Sequence, residues 1–115
     1  MSTLELELTQ YREAILEWER VLDEESARKA NRIYDRLLEM RQSLAATEEG
    51  RAGIVELMDD DDLSVVLQAA TDALFWSPKE AKRVLKRIRR RNGAGALTAK
   101  YTLEEFEAGG LRLDR

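Results

Sequence analysis

The sequence contains neither cysteine nor histidine among its 115 residues. Without cysteine there is no disulfide, no thiol nucleophile and no thiolate metal site. Without histidine the chain also lacks the commonest general base and a frequent metal ligand. Because no spacing of Asp, Glu, Lys or Tyr singles out a catalytic set, we expect no catalytic residues, no cofactor and no enzymatic activity.

Long apolar runs are missing as well. No stretch approaches the ~20 residues that a membrane span needs. The first residues, Met1 to Glu5, have no cationic stretch followed by an apolar core, which a signal peptide would show. We therefore expect a cytoplasmic protein without a membrane partner.

Helix breakers are scarce, since proline occurs only once. Charged residues make up 37% of the chain, above the usual quarter, and abundant Leu, Ala, Glu and Arg favour helices. No segment alternates with period two for long enough to indicate a sheet. A length of 115 residues corresponds to one domain, so we predict a single all-α domain over residues 1–115.

Residues 1–46 carry two long amphipathic patterns. We predict a first helix over residues 4–22, capped by Thr3, and a second helix that returns antiparallel after a polar turn at residues 23–26. Spacings of three and four residues give each helix one apolar stripe. The stripes are Leu4, Leu8, Tyr11, Ile15, Trp18 and Leu22 in the first helix, and Ala30, Ile33, Leu37, Met40 and Leu44 in the second.

Residues 47–115 predict four shorter helices, over residues 51–58, 63–76, 78–91 and 97–108. Ser77 and Glu80 are placed to form a capping box around Pro78, and Gly109 follows the last helix as a stop signal. The residues expected to face inward are Ala52, Val55 and Met58, then Val66, Ala69, Ala70, Ala73 and Leu74, then Ala81, Val84, Leu85 and Ile88.

The centre of the chain resembles the second helix of a HEAT repeat. The residues that carry this resemblance are Asp62, Val65, Ala69, Ala70, Ala73 and Leu74, followed by the helix start at Pro78, with Val66 at the usual arginine position. Through residues 30–37, the aspartate-rich helix start and residues 102–109, the whole chain is also similar to a small bacterial family of HEAT-like proteins. The resemblance implies a right-handed α–α stack that presents surfaces to protein partners. It implies a fold rather than an activity.

Four consecutive aspartates, Asp59 to Asp62, form the first candidate site. An EF-hand loop needs a central glycine and a glutamate at its twelfth position. Counted from Asp59, those positions hold Ser64 and Ala70. Aspartates at a helix start also cap free amides and meet the positive end of the helix dipole, so we predict a helix N-terminus and no metal site.

The helix predicted over residues 78–91 holds eight cations and a single carboxylate, Glu80, whereas residues 1–62 hold 17 acidic and 8 basic residues. Three interpretations are open: a solvated face that pairs with the acidic hairpin, docking onto an acidic protein, and contact with a phosphate backbone. The last ranks lowest, because the isoelectric point is about 5.0 and no aromatic residue interrupts the basic run.

We interpret the chain as a non-catalytic protein-binding module, monomeric or homodimeric, with one hypothesis being an immunity protein that neutralises a toxin or effector. The alternatives are a nucleic-acid-associated helper that uses residues 79–91, and a homo-oligomeric structural module. The candidate partner-binding residues are Lys79, Lys82, Arg83, Lys86, Arg87, Arg90, Asp59, Asp60 and Asp61.

The aspartate run gives a first testable prediction. If these residues serve a helix start, adding millimolar Ca²⁺ or Mg²⁺ leaves the Tm of the protein unchanged, because ligands raise stability only when they bind the folded state. Differential scanning calorimetry with each chloride salt, matched in ionic strength with NaCl, measures this. A substantial rise in Tm with either divalent cation contradicts the prediction.

Overall fold

A computed structural model describes residues 2–23 and 27–112, and these residues form six α-helices. The helices are α1 (Thr3–Asp23), α2 (Ala27–Ala45), α3 (Glu48–Glu56), α4 (Leu63–Ala73), α5 (Pro78–Arg90) and α6 (Ala96–Glu107), with a 3₁₀ turn at Leu57–Asp59. The described part contains no strand. The all-α class predicted from the sequence is confirmed.

The chain divides into two compact units, Met1–Gly53 and Ile54–Arg115, and the division falls inside α3. The predicted parts were a hairpin over residues 1–46 and HEAT-like helices over residues 47–115. Their arrangement as one domain stays a prediction. The predicted turn at residues 23–26 falls mainly outside the described residues.

In the first unit, α1 and α2 pack as an antiparallel pair. The rings of Trp18 and Tyr34 pack at a tilt of 38° with centroids 5.4 Å apart, and Glu17 accepts a hydrogen bond from Arg36 at 3.3 Å. Nearer the start of α1, Gln10 shares a cleft with residues late in α2. Early residues of one helix therefore lie beside late residues of the other.

The stripe predicted for α1 is correct in its middle and wrong at its end. Tyr11 and Ile15 are buried, but Leu22 is 49% exposed and Val21 is fully buried instead. Val21 forms a cluster with Ala30 and Ile33, against which Trp18 packs. A 3.6-residue period lets the inward face continue by three or by four residues, and the position of α2 selects three.

Caps and boundaries also differ from the sequence expectations near the first three helices. Ser2, not Thr3, caps α1, because its Oγ accepts a hydrogen bond from the Glu5 amide at 3.1 Å. The third helix begins earlier than predicted, at Glu48, where Thr47 Oγ1 accepts from the Gly50 amide at 2.9 Å. Within this helix Ile54 is buried, whereas Ala52, predicted inward, is exposed.

In the second unit, α4 contacts the 3₁₀ turn and α5, and α5 contacts α6. The five positions predicted to face inward from the fourth helix are all buried: Val66, Ala69, Ala70, Ala73 and Leu74. Four of them lie within α4, and Leu74 directly follows it. The helix ends at Ala73, three residues before the predicted end at residue 76. Small alanines allow the neighbouring elements to approach α4 closely.

Gly50 supplies a prediction about stability. A Cβ added there would overlap the backbone carbonyl of Leu44. Alanine is better than glycine in a helix by about 1 kcal/mol, but backbone overlap costs more than that. We expect Gly50→Ala to lower the free energy of unfolding by roughly 2–3 kcal/mol, measured by urea denaturation.

Gly93→Ala is the matched control, because its Cβ would lie 3.9 Å from the nearest atom outside its immediate neighbours, the Arg91 carbonyl oxygen. We expect this variant to stay within about 0.5 kcal/mol of the parent. Equal stability of the two variants would show that the close approach at Gly50 is absent.

Candidate binding surface

The helix α5 starts where the sequence predicts, but without the predicted capping box. Ser77 makes no side-chain cap hydrogen bond. Its amide donates to the Ala73 carbonyl at 2.7 Å, so this donor, which the Glu80 carboxylate would need, is already in use. Pro78 begins the helix, where its missing amide hydrogen costs nothing.

The buried face of α5 is entirely apolar. The four predicted inward residues, Ala81, Val84, Leu85 and Ile88, are buried. Among the cations, Lys82 is half-buried and the other seven are exposed: Lys79, Arg83, Lys86, Arg87, Arg89, Arg90 and Arg91. Burying a cation without a partner is costly, so the apolar residues fix which side of the helix carries the charge.

Four of these cations form what we call the cationic stripe: Lys79, Arg83, Lys86 and Arg90. Their spacings of four, three and four residues align them along one side of the helix, opposite the buried face. At 1.5 Å per residue the stripe is about 16 Å long. The same geometry places Arg87 and Arg91 on one flank of the stripe and Lys82 on the other.

Lys82 has a structural role that the sequence pattern does not reveal. Its Nζ lies 2.8 Å from Glu107 Oε1 and 5.3 Å from the centroid of the Phe106 ring. Phe106 in turn packs edge-to-face on Phe75 with centroids 6.1 Å apart. Lys82, although one of the candidate binding residues, thus ties α5 to α6 and does not belong to the stripe.

The aspartate run builds a turn and a helix cap. Asp62 Oδ1 accepts hydrogen bonds from the amides of Ser64 at 2.9 Å and Val65 at 3.3 Å, which satisfies two free donors at the start of α4. Asp60 Oδ1 accepts from the Asp62 amide at 2.9 Å. The predicted helix N-terminus is therefore present at Asp62.

The structure brings the other aspartates to the basic helix. Asp59, Asp60 and Asp61 line a cleft of about 310 Å³ together with Arg87 of α5 and Arg91, the residue that follows α5. Two groups of predicted binding residues, more than twenty positions apart in sequence, thus share one site. We call this the acid–base cleft.

Sequence reasoning missed part of the acid–base cleft. Arg91 and Leu63 line it, yet neither was in the predicted binding set. Leu63, the first residue of α4, is 38% exposed. The sequence did contain a signal for this exposed apolar residue. Leu63 directly follows the capping Asp62, and residues in the first turn of a helix often face solvent.

Within residues 2–23 and 27–112, no group of three or more Asp, Glu, His or Cys side chains is placed to hold a metal ion. Across the same residues, no helix has both the length and the apolar character needed to cross a membrane.

Comparison with known proteins identifies a similar fold. No protein-family model matches the chain, and no curated protein matches it significantly. The crystal structure of the protein RPA1889 from Rhodopseudomonas palustris CGA009 is similar, with a TM-score of 0.84 and 21% sequence identity over 97% of this chain and 94% of that chain. At this level of identity the likeness concerns the fold alone.

The contact between Lys82 and Glu107 gives a prediction about titration. The hydrogen bond and the charge of Lys82, and to a lesser degree the charge of Lys86, lower the pKa of Glu107. A lowered pKa means that the contact stabilises the fold above the unfolded-state pKa and that this contribution is lost as pH falls through the folded-state pKa. We expect Lys82→Met to raise the pKa of Glu107 towards its ordinary value, as measured by NMR titration of the side-chain carboxyl carbon.

Lys86→Met is the control, because it removes one cation from the same helix without touching the hydrogen bond. It should raise the pKa of Glu107 by less than Lys82→Met does. The reverse order would contradict the assigned contact.

Proposed function

We propose that this chain is a non-catalytic protein-binding module that holds an acidic surface of another protein through the cationic stripe of α5. The observation that carries the proposal is the stripe itself. All four of its cations are exposed, and none of them has an ion pair with another residue in the described part of the chain.

The arrangement of charge along α5 favours docking over simple solvation. Like charges three or four residues apart destabilise a helix by a few tenths of a kcal/mol each. The successive neighbours along the stripe, from Lys79 to Arg90, all stand in this relation. On a face needed only for solubility, alternating positive and negative charges would make the helix more stable. Such a face is present on α2, where the exposed residues include Arg32, Asp35, Arg36 and Glu39. A bound acidic surface would remove this repulsion and speed association.

The surroundings of the stripe favour protein over nucleic acid. Carboxylates lie on both sides: Asp59 and Asp61 share the acid–base cleft with Arg87, and Glu107 pairs with Lys82 on the opposite flank. A duplex carries about one negative charge per 1.7 Å of its axis, so phosphates along the stripe would be repelled by these neighbouring carboxylates. The stripe itself also contains no aromatic residue on which a base could stack.

Other parts of the proposal rest on the sequence. They are a HEAT-like right-handed stack, a cytoplasmic location and an immunity-type role. The immunity-type role would use a second surface, because the excess of acidic residues in positions 1–62 suits a basic region of a toxin or effector, whereas the cationic stripe holds an acidic one. A homo-oligomer would join that acidic region to the cationic stripe of a second copy.

A charge-matched pair of variants tests the proposal. The stripe variant carries Arg83→Gln, Lys86→Gln and Arg90→Gln, and the control carries Arg28→Gln, Lys29→Gln and Arg32→Gln, which are also exposed. Each full-length protein is used as bait in a lysate of the native cell, once with and once without nuclease treatment. Captured proteins are identified by mass spectrometry, purified, and titrated by calorimetry.

We expect the stripe variant to bind a captured partner more weakly by about 0.6–3 kcal/mol, at roughly 0.2–1 kcal/mol for each of the three exposed pairs. The control should bind like the parent, and parent binding should weaken with added salt. Equal binding by both variants, or a partner lost on nuclease treatment, would contradict the proposal.

A further inference from the structure

Beside the C-terminal half of the cationic stripe, the acid–base cleft exposes apolar surface. Leu63 is 38% exposed, while Val66, Met58 and Ile88, which also line the cleft, are buried. Together they form an apolar wall that opens towards solvent at Leu63. The Asp62 cap fixes the start of α4 and thereby fixes where Leu63 stands.

We infer that this cleft is an anchor pocket, which receives an uncharged apolar side chain from an acidic segment of the partner lying along the cationic stripe. The inference rests on the proposed function and deepens it, because it states which chemistry the partner carries and where. A cleft of about 310 Å³ is at the lower end of the range for ligand pockets. It suits one or two side chains better than a cofactor.

The charges around the pocket explain why the side chain that enters it is expected to be uncharged. Arg87 and Arg91 stand on one side of the cleft, next to Lys86 and Arg90 of the stripe, and they attract acidic residues of a partner to the rim. Asp59 and Asp61 stand in the same cleft and repel a carboxylate that enters it. An acidic segment can therefore follow the stripe, but the side chain that enters the pocket gains most when it is apolar.

The combination matches the usual energetics of protein interfaces. A few residues in well-packed pockets, most often tryptophan, tyrosine and arginine, supply most of the binding energy, and the surrounding contacts exclude water. The stripe alone offers only exposed ion pairs, each of them weak. The pocket supplies the apolar contact that the stripe lacks.

Synthetic helical peptides test this inference with the full-length protein. Each peptide has four glutamates spaced by four, three and four residues, and the flanking positions are leucine, alanine or glutamate. Affinities are measured by fluorescence anisotropy for the parent, for Leu63→Gln, and for Leu97→Gln. Leu97 is 61% exposed on α6 and does not line the cleft, so it is the matched control. Circular dichroism confirms that each variant is folded.

We expect the leucine peptide to bind the parent up to about 50-fold more tightly than the alanine peptide, because leucine buries three more carbon atoms, together worth ~2.4 kcal/mol. The glutamate peptide should bind less tightly than the leucine peptide. The advantage of leucine should vanish in Leu63→Gln and persist in Leu97→Gln.

The inference is overturned if no peptide binds, if Leu63→Gln keeps the advantage of leucine, or if the glutamate peptide binds best. In the last two cases the proposed function survives, because charge alone then holds an acidic segment. The proposed function fails instead if the Arg83, Lys86 and Arg90 stripe variant binds the peptides like the parent. A 16-base-pair DNA duplex that binds more tightly than every peptide overturns both.

Discussion

The separation of apolar and cationic residues on α5 is the constraint from which the candidate binding surface follows. Thirteen residues, Pro78–Arg90, contain four buried apolar side chains and seven cations. Because an unpaired cation cannot be buried cheaply, packing Ala81, Val84, Leu85 and Ile88 inward forces the charged side chains outward or onto partners. Any substitution that weakened the buried face would therefore also rotate or loosen the charged one.

Each flank of α5 is then adapted to its neighbour. Towards α6, Lys82 is held by Glu107 and Phe106, so this cation is used within the fold. Towards the 3₁₀ turn, Arg87 and Arg91 meet aspartates across an open cleft. The flank towards α6 is therefore occupied by a contact within the fold. The flank towards the 3₁₀ turn is the one that a partner can reach.

The aspartate run illustrates how one sequence feature can serve two purposes. Asp62 and Asp60 accept backbone hydrogen bonds that shape the turn before α4. Asp59 and its neighbours also line the cleft. Neither use requires a metal ion, because the positive end of the helix dipole and the nearby arginines already favour negative charge at this place.

The amino-acid sequence by itself determined the all-α class, the buried positions in the middle of α4 and α5, and the exclusion of cysteine and histidine chemistry, because periodicity and composition are local properties. Tertiary structure alone decided that Val21 and not Leu22 lies in the core. It also decided that the Ser77 amide donates to the Ala73 carbonyl and not to Glu80, and that Asp59 and Arg91 line the same cleft. A helix pattern permits several neighbouring faces and caps, and only the position of the packed partner selects among them.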